Sequence, residues 1–189
     1  MGNVRIVSGK FKGRKITTPA GTSTRPLLSR LRKSLTDILR PNLSQARVLD
    51  LFGGSGAIAF EFLSNGAATA VIVEREPHTA QLIRNNAQAL CLEKAVEVYT
   101  GDALAAITCF EQRGDTFDII IVAPPYGHGL QHQTLQRLAS SMLLDEKSIV
   151  VVQRDVREPC ASASGQLVPA ATRSYGRTVF DFYAVRRKL

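Results

Sequence analysis

Phe117, Asp118, Ile119, Ile120, Ile121 and Val122 form an almost unbroken apolar run, and no other feature limits the fold of this chain so sharply. A strand with one wet face alternates apolar and polar side chains, whereas a run without alternation must be covered on both faces. Helices on either side of a parallel sheet supply that cover, so strands and helices have to alternate along the chain. From Arg47 onward they do. Residues 48–52, 70–74, 96–99, 117–122 and 149–152 read as strands, and helices are expected over 57–63, 78–92, 103–112 and 131–144. The tail changes character: 168–175 and 178–185 flank Gly176 with no helical stretch between them, which predicts a hairpin. The expectation is an α/β fold, a doubly wound, Rossmann-like seven-stranded sheet with an antiparallel terminal hairpin.

Residues 1–46 follow another pattern and are expected to form a small basic module ahead of a domain spanning 47–189. Short β-prone runs at 4–7 and 15–17, separated by Gly9 and Gly13, predict a small hairpin. Over 29–40, Leu31, Leu35, Ile38 and Leu39 recur at helical spacing, with Arg32, Lys33 and Arg40 off that stripe and Pro41 as the expected stop. The chain of 189 residues has a net charge of +8, unevenly spread. Residues 1–47 hold eleven Lys and Arg against one acid, Asp37, while the rest holds thirteen bases and fifteen acids. So one-sided a segment repels itself unless a polyanion neutralises it, and nucleic acid is the common polyanion.

At 44% hydrophobic and 21% charged residues, the composition excludes a disordered chain. No run of about 18 apolar residues predicts a membrane span. The start lacks a secretory pattern, and Cys91, Cys109 and Cys160 offer neither zinc spacing nor a disulfide framework. The reading is a cytoplasmic monomer without metal, its cysteines serving as small core residues.

In such a sheet ligands bind outside the carboxyl ends of the strands, near the point where strand order reverses. The first strand ends Asp50-Leu51-Phe52-Gly53-Gly54-Ser55-Gly56, a glycine turn that lets a ligand approach the main chain. Gly54-x-Gly56-x-x-Ala59 also fits the loose dinucleotide fingerprint, so a nicotinamide cofactor has to be weighed. Asp50 tilts the balance, because a carboxylate repels pyrophosphate and attracts a cationic amino-acid group. S-adenosylmethionine (SAM) carries an ammonium, a sulfonium and no phosphate. Glu74, followed by Arg75, ends the second strand twenty residues after Gly54, where an acid can accept ribose hydroxyls. At the third strand end, Asp102 and the amide of Ala103 can read an adenine edge, or Asp102 simply caps the next helix. The fourth strand ends Ala123-Pro124-Pro125-Tyr126-Gly127. Its prolines fix the backbone and leave carbonyls without a competing local N–H, and Tyr126 can stack on an extruded base. His128 and His132 read as loop or RNA-contact residues, and His78 as a surface residue at a helix start.

Asp50–Gly56, Glu74, Asp102 and Pro124-Pro125-Tyr126 together resemble the motifs of class I SAM-dependent amino-methyltransferases, whose fourth strand ends Asn/Asp-Pro-Pro-Phe/Tyr. The N-terminal residues 5–16, with Thr24-Arg25-Pro26 and Arg30-Leu31-Arg32-Lys33-Ser34-Leu35, are similar to the RsmD-type methylases of small-subunit (16S) ribosomal RNA. The resemblance covers nearly the whole chain. It implies SAM as cofactor, held by Asp50, Phe52, Gly53, Gly54, Ser55, Gly56, Glu74, Arg75, Asp102 and Ala103. It implies methylation of a guanine N2 by the segment Ala123, Pro124, Pro125 and Tyr126, with 16S rRNA or an assembling small subunit as partner. Arg5, Lys12, Arg14, Arg25, Arg30, Arg32 and Lys33 are the expected phosphate contacts. One position departs from the pattern. Where the family has Asp or Asn, this chain has Ala123, which supplies no side-chain acceptor for the amino hydrogens. Two readings therefore stand side by side: an attenuated methyltransferase, and a protein of the same fold that binds RNA and SAM without turnover.

Overall fold

A computed structural model describes residues 2–19, 29–160 and 165–186. In chain order the elements are β1 (Gly2–Arg5), β2 (Lys15–Thr18), α1 (Ser29–Leu43), β3 (Arg47–Asp50), α2 (Ala57–Ser64), β4 (Thr69–Glu74) and α3 (Pro77–Ala89). They continue with β5 (Val96–Thr100), α4 (Ala103–Gln112), β6 (Ile119–Val122), α5 (Leu130–Leu138), β7 (Ile149–Asp155), β8 (Leu167–Tyr175) and β9 (Thr178–Val185). Seven strands form one sheet in the order β5-β4-β3-β6-β7-β9-β8. The first five run parallel, and β9 pairs antiparallel with both β7 and β8. The expected sheet and its terminal hairpin are both present.

The apolar run behaves as its composition demands: all four residues of β6 are buried, between β3 and β7. Its first two residues serve elsewhere. The Phe117 amide donates to the Leu143 carbonyl (3.0 Å), and the Asp118 carboxylate accepts from the Arg47 amide (2.7 Å). Two apolar layers flank the sheet. One holds Phe60 and Phe62 of α2 and Ile83 of α3, the other Ile107 and Phe110 of α4 and Leu135 of α5. Strand order reverses between β3 and β6, and the crevice at their carboxyl ends is where ligands enter such sheets.

Helix α4 spans 103–112 as its periodicity predicts, but three other helices end elsewhere. Pro41 does not stop α1, which runs on to Leu43 and buries that side chain completely. Proline removes one backbone bond within the last turn, too late to unseat the anchoring leucine. Helix α3 stops at Ala89 rather than 92, where Cys91 takes a left-handed backbone (φ 57°) and turns the chain. Helix α5 stops at Leu138 rather than 144, because the following residues are drawn onto Glu111: Ser141 Oγ donates to it at 2.7 Å and the Met142 amide at 3.3 Å. The cysteines are not core residues. Cys91 and Cys160 are exposed and Cys109 half-buried, since Cys91 sits in that turn and Cys160 follows the end of β7.

The N-terminal hairpin is bolted to the sandwich rather than tethered to it. Ile6 and Ile16 are buried with Leu31, Leu35 and Leu39 in the layer that contains Phe60 and Phe62. Glu61, fully buried on α2, accepts from the Val7 amide (3.0 Å), the Ser8 amide (2.8 Å) and Ser8 Oγ (2.8 Å). Gly9 turns with φ 77° so close to α2 that a Cβ there would lie 1.9 Å from the Ser64 carbonyl, which explains the glycine. On α3, Asn86 pairs reciprocally with the Thr17 backbone at 3.0 and 2.9 Å.

Candidate functional site

The glycine turn between β3 and α2 is held open by hydrogen bonds to its neighbours. The Leu51 amide donates to Ile121 O (3.0 Å), Gly53 N to Val73 O (2.8 Å) and Gly56 N to Gly53 O (2.7 Å), so the turn is tied to both flanking strands. Gly54 and Gly56 have φ of 55° and 75°, the left-handed region in which a side chain is strained. Beneath the turn, at the end of β3, Asp50 is 1% exposed. Its one hydrogen bond among the described residues is from the Phe52 amide, at 3.3 Å. Burial pushes its pKa up to about 7; the Phe52 amide opposes the shift and the negative Glu74 adds to it. A buried carboxylate with no counter-charge among the described residues, opening on a glycine turn, calls for a cationic ligand. An ammonium fits it and a pyrophosphate does not.

Glu74 closes the other side of the turn. Its Oε2 accepts from Gly54 N (2.8 Å) and its Oε1 from Glu76 N (2.9 Å). Each oxygen keeps lone-pair capacity, so a diol can be received without breaking either bond. Arg75 is exposed and contacts Glu76 loosely, at 3.8 Å. Asp102 serves as the N-cap of α4: its Oδ1 accepts from Leu104 N (2.8 Å) and Ala105 N (3.3 Å). Both bonds end on one oxygen, so the second oxygen accepts from none of the described residues.

The segment after β6 lies next to the glycine turn, joined through Ile121. Ala123 is half-buried against the core, Pro124 is buried and Pro125 exposed. Among the described residues nothing donates to the Pro124 carbonyl. Tyr126 is half-buried and oriented from two strands: Gln153 Nε2 of β7 donates to its hydroxyl at 2.7 Å, and Thr178 Oγ1 of β9 lies 3.5 Å from it. Glu158 holds the following residue, accepting from Gly127 N at 2.7 Å. A hollow of about 690 Å³ opens alongside, lined by Gly127, Gly129, His132, Arg157 and Glu158 among others. Gln153, Thr178 and Glu158 carry no motif: the pairing of β6 with β7 brings Gln153 beside this segment, that of β7 with β9 brings Thr178, and Glu158 lies in the turn after β7.

Of the expected phosphate contacts, Arg5, Lys12, Arg14, Arg30 and Lys33 are exposed. Arg25 lies outside the described residues. Arg32 corrects the expectation: it is 1% exposed, and its guanidinium donates to the Arg5 carbonyl (2.8 Å) and to Ser29 Oγ (3.4 Å). Its stem, on the inward side of α1 where the hairpin docks, places the charge where it braces the hairpin instead of meeting solvent. Among the described residues no group of three or more His, Cys, Asp or Glu is arranged to hold a metal ion, and no helix is long and apolar enough to cross a membrane.

Residues 4–184 match the model of the family described as conserved hypothetical protein 95. The chain is 32% identical over 183 residues to YlbH of Bacillus subtilis, covering 97% of this chain and 100% of that one. It is also 32% identical over 155 residues to the ribosomal RNA small subunit methyltransferase D of Escherichia coli, covering 82% of this chain and 76% of the relative. Among solved structures, yhhF of Escherichia coli superposes with a TM-score of 0.87 at 27% identity, covering 99% of this chain and 100% of that one.

Proposed function

The chain belongs to the conserved hypothetical protein 95 family, the RsmD family, and on that premise we propose that it methylates ribosomal RNA of the small subunit at the exocyclic N2 of a guanine, with SAM as methyl donor. The observation that carries this reading is Asp50, a buried carboxylate with one amide partner, beneath a glycine turn and one strand away from Pro124-Pro125-Tyr126. Asp50 receives the ammonium of the amino-acid moiety, Glu74 the ribose hydroxyls, and Asp102 with the Ala103 amide the adenine edge; Phe52, Gly53, Ser55, Gly56 and Arg75 line the approach. Bound SAM supplies an electrophilic methyl group.

The acceptor nitrogen is a poor nucleophile because its lone pair is delocalised into the purine ring. The chain's task is to turn that lone pair toward the methyl. Tyr126, its hydroxyl held by Gln153, gives the extruded base a fixed plane to stack on. The Pro124 carbonyl accepts one amino hydrogen and begins to pyramidalise the nitrogen. At Ala123 a second acceptor is missing. The reaction then depends on proximity and alignment, followed by release of the amino proton to solvent. A hydrogen bond to a charged group contributes about 1.5–3 kcal/mol, so the loss corresponds to roughly 10–150-fold in rate. We assign residues 1–46 to RNA binding, through Arg5, Lys12, Arg14, Arg25, Arg30 and Lys33, and residues 47–189 to catalysis.

Ala123 also favours a second reading, a binder of RNA and SAM without turnover. Single-turnover transfer of labelled methyl from SAM to unmethylated small-subunit rRNA separates the two. Slow transfer by the native chain, raised at least tenfold in Ala123→Asp with RNA affinity unchanged, is expected. Zero transfer by both, with SAM and RNA bound, establishes the binder instead.

A further inference from the structure

The charge excess of the N-terminal segment conceals a second cationic surface in the half of the chain whose net charge is negative. Around the end of β7 and the β8–β9 turn, charges sort by depth. Asp155 and Asp181 are buried (5% and 2% exposed), and Glu158 is half-buried with its carboxylate bound to the amides of Gly127 and Asp155. Arg154 is the inward cation, paired with Asp181 at 2.6 Å, and the remaining guanidiniums face outward. The side chains of Arg157 and Arg177 are 72% and 59% exposed, and both approach the same Asp155, at 3.8 and 2.8 Å. One buried carboxylate thus serves two guanidiniums and leaves a net positive charge outside. Arg173 is exposed and donates to the Thr172 carbonyl at 2.9 Å.

This surface is fixed to the Tyr126 segment on one side and to the basic helix on the other. Thr178, the residue after Arg177, lies against the Tyr126 hydroxyl, and Glu158, the residue after Arg157, holds Gly127. Ser34 Oγ of α1 donates to the Tyr175 hydroxyl at 2.5 Å, and the Tyr175 ring packs edge-on against Phe180. By strand alternation Arg173 shares the face of Tyr175, and the exposed Arg30 lies one turn before Ser34 on α1. Cations therefore run from α1 across the β8–β9 turn to the mouth of the candidate active site.

We propose that Arg157, Arg173 and Arg177 form a second RNA-backbone contact that holds the nucleotides flanking the target base, an inference that rests on the RNA-methylating function above. Three exposed guanidiniums at the rim of an aromatic stacking platform match the chemistry of a phosphodiester chain, because a base brought to Tyr126 carries its own phosphates past that rim. The N-terminal hairpin grips the RNA body; this surface grips the strand beside the base.

The test is binding and turnover of the full-length Arg173→Gln/Arg177→Gln double variant on a small-subunit rRNA transcript, measured from about 0.05 to 0.3 M salt. Loss of two phosphate contacts is expected to lower the slope of log affinity against log salt by about 1.4–1.8 and to raise the RNA KM about tenfold near 0.15 M salt. SAM affinity and kcat at saturating RNA stay unchanged, and Arg173→Lys/Arg177→Lys restores most of the slope. A double variant with native slope and KM, while Lys12→Ala/Arg14→Ala loses both, overturns the second surface and leaves the first intact. Failure of the wild type to bind rRNA overturns the functional reading itself. A KM change without a slope change overturns phosphate contact.

Discussion

Asp50 is ionised in the free protein only at an energetic cost, because its burial, with Glu74 nearby and only the Phe52 amide in opposition, pushes its pKa up to about 7. In the unfolded chain the same group titrates near 3.8. Between those values the folded state binds more protons than the unfolded one, so this residue's contribution to stability falls as pH rises from about 4 to 7 and stays lost above. The difference is on the order of 4 kcal/mol. Asp50→Asn removes it. The ligand-free variant should melt above the wild type at pH 8 and without the acid-side gain, while its SAM affinity falls at least a hundredfold. Wild-type SAM affinity should in turn rise between pH 6 and 8, since an ammonium favours the ionised form; calorimetry that shows no pH dependence contradicts the assignment. A second prediction concerns Tyr126 and Gln153, 2.7 Å apart. Gln153→Leu should slow methyl transfer several-fold with little change in SAM affinity. In a Tyr126→Phe background the same substitution should do almost nothing, because the hydroxyl it orients is gone; additive effects in the double-mutant cycle exclude a positioning role.

At the scale of elements, α2 joins two jobs: its first residues receive the glycine turn, and its last turn receives the hairpin through Glu61 and Ser64. Glu61→Ala leaves the Val7 and Ser8 donors without their acceptor, which costs about 3 kcal/mol or more and lowers Tm by roughly 6–12 °C. SAM binding should survive, since Asp50 and Glu74 lie at the opposite end of α2; a thermal melt with and without SAM checks both statements. Nothing in the sequence announced Glu61, which looks like one acid in an apolar helix. What was legible was periodicity and chain chemistry. The β6 run, α4 at 103–112 and the hairpin around Gly176 all follow from local pattern. The ends of α1, α3 and α5 did not; α5 is terminated by Glu111, a contact thirty residues distant that local pattern cannot contain. Arg32 was misplaced for a related reason: a cation one step off an apolar stripe looks solvated until a second element, the hairpin, covers it. Tyr126 was legible from its prolines, whereas Gln153 depends on the pairing of β7 with β6 and Thr178 on that of β9 with β7.

Over the whole molecule, the described surface presents cations from two regions, the N-terminal hairpin with α1 and the β8–β9 turn, and the second of these borders the Tyr126 segment at the carboxyl end of β6. Binding to RNA should therefore be steeply dependent on salt and, for the hairpin cations, weakly dependent on sequence. Under the proposed function, specificity has to come from the single base brought beside Pro124 and Tyr126. Methyl transfer to one guanine is thus the central claim, and mass spectrometry of small-subunit rRNA isolated from cells with and without the protein tests it most directly. One guanine-containing fragment is expected to carry an additional methyl group on N2 only when the protein is present, with a greater yield when Ala123→Asp replaces the native chain. Identical methylation patterns in all three samples, or a methyl group that appears on a ring nitrogen or a ribose, would contradict that claim.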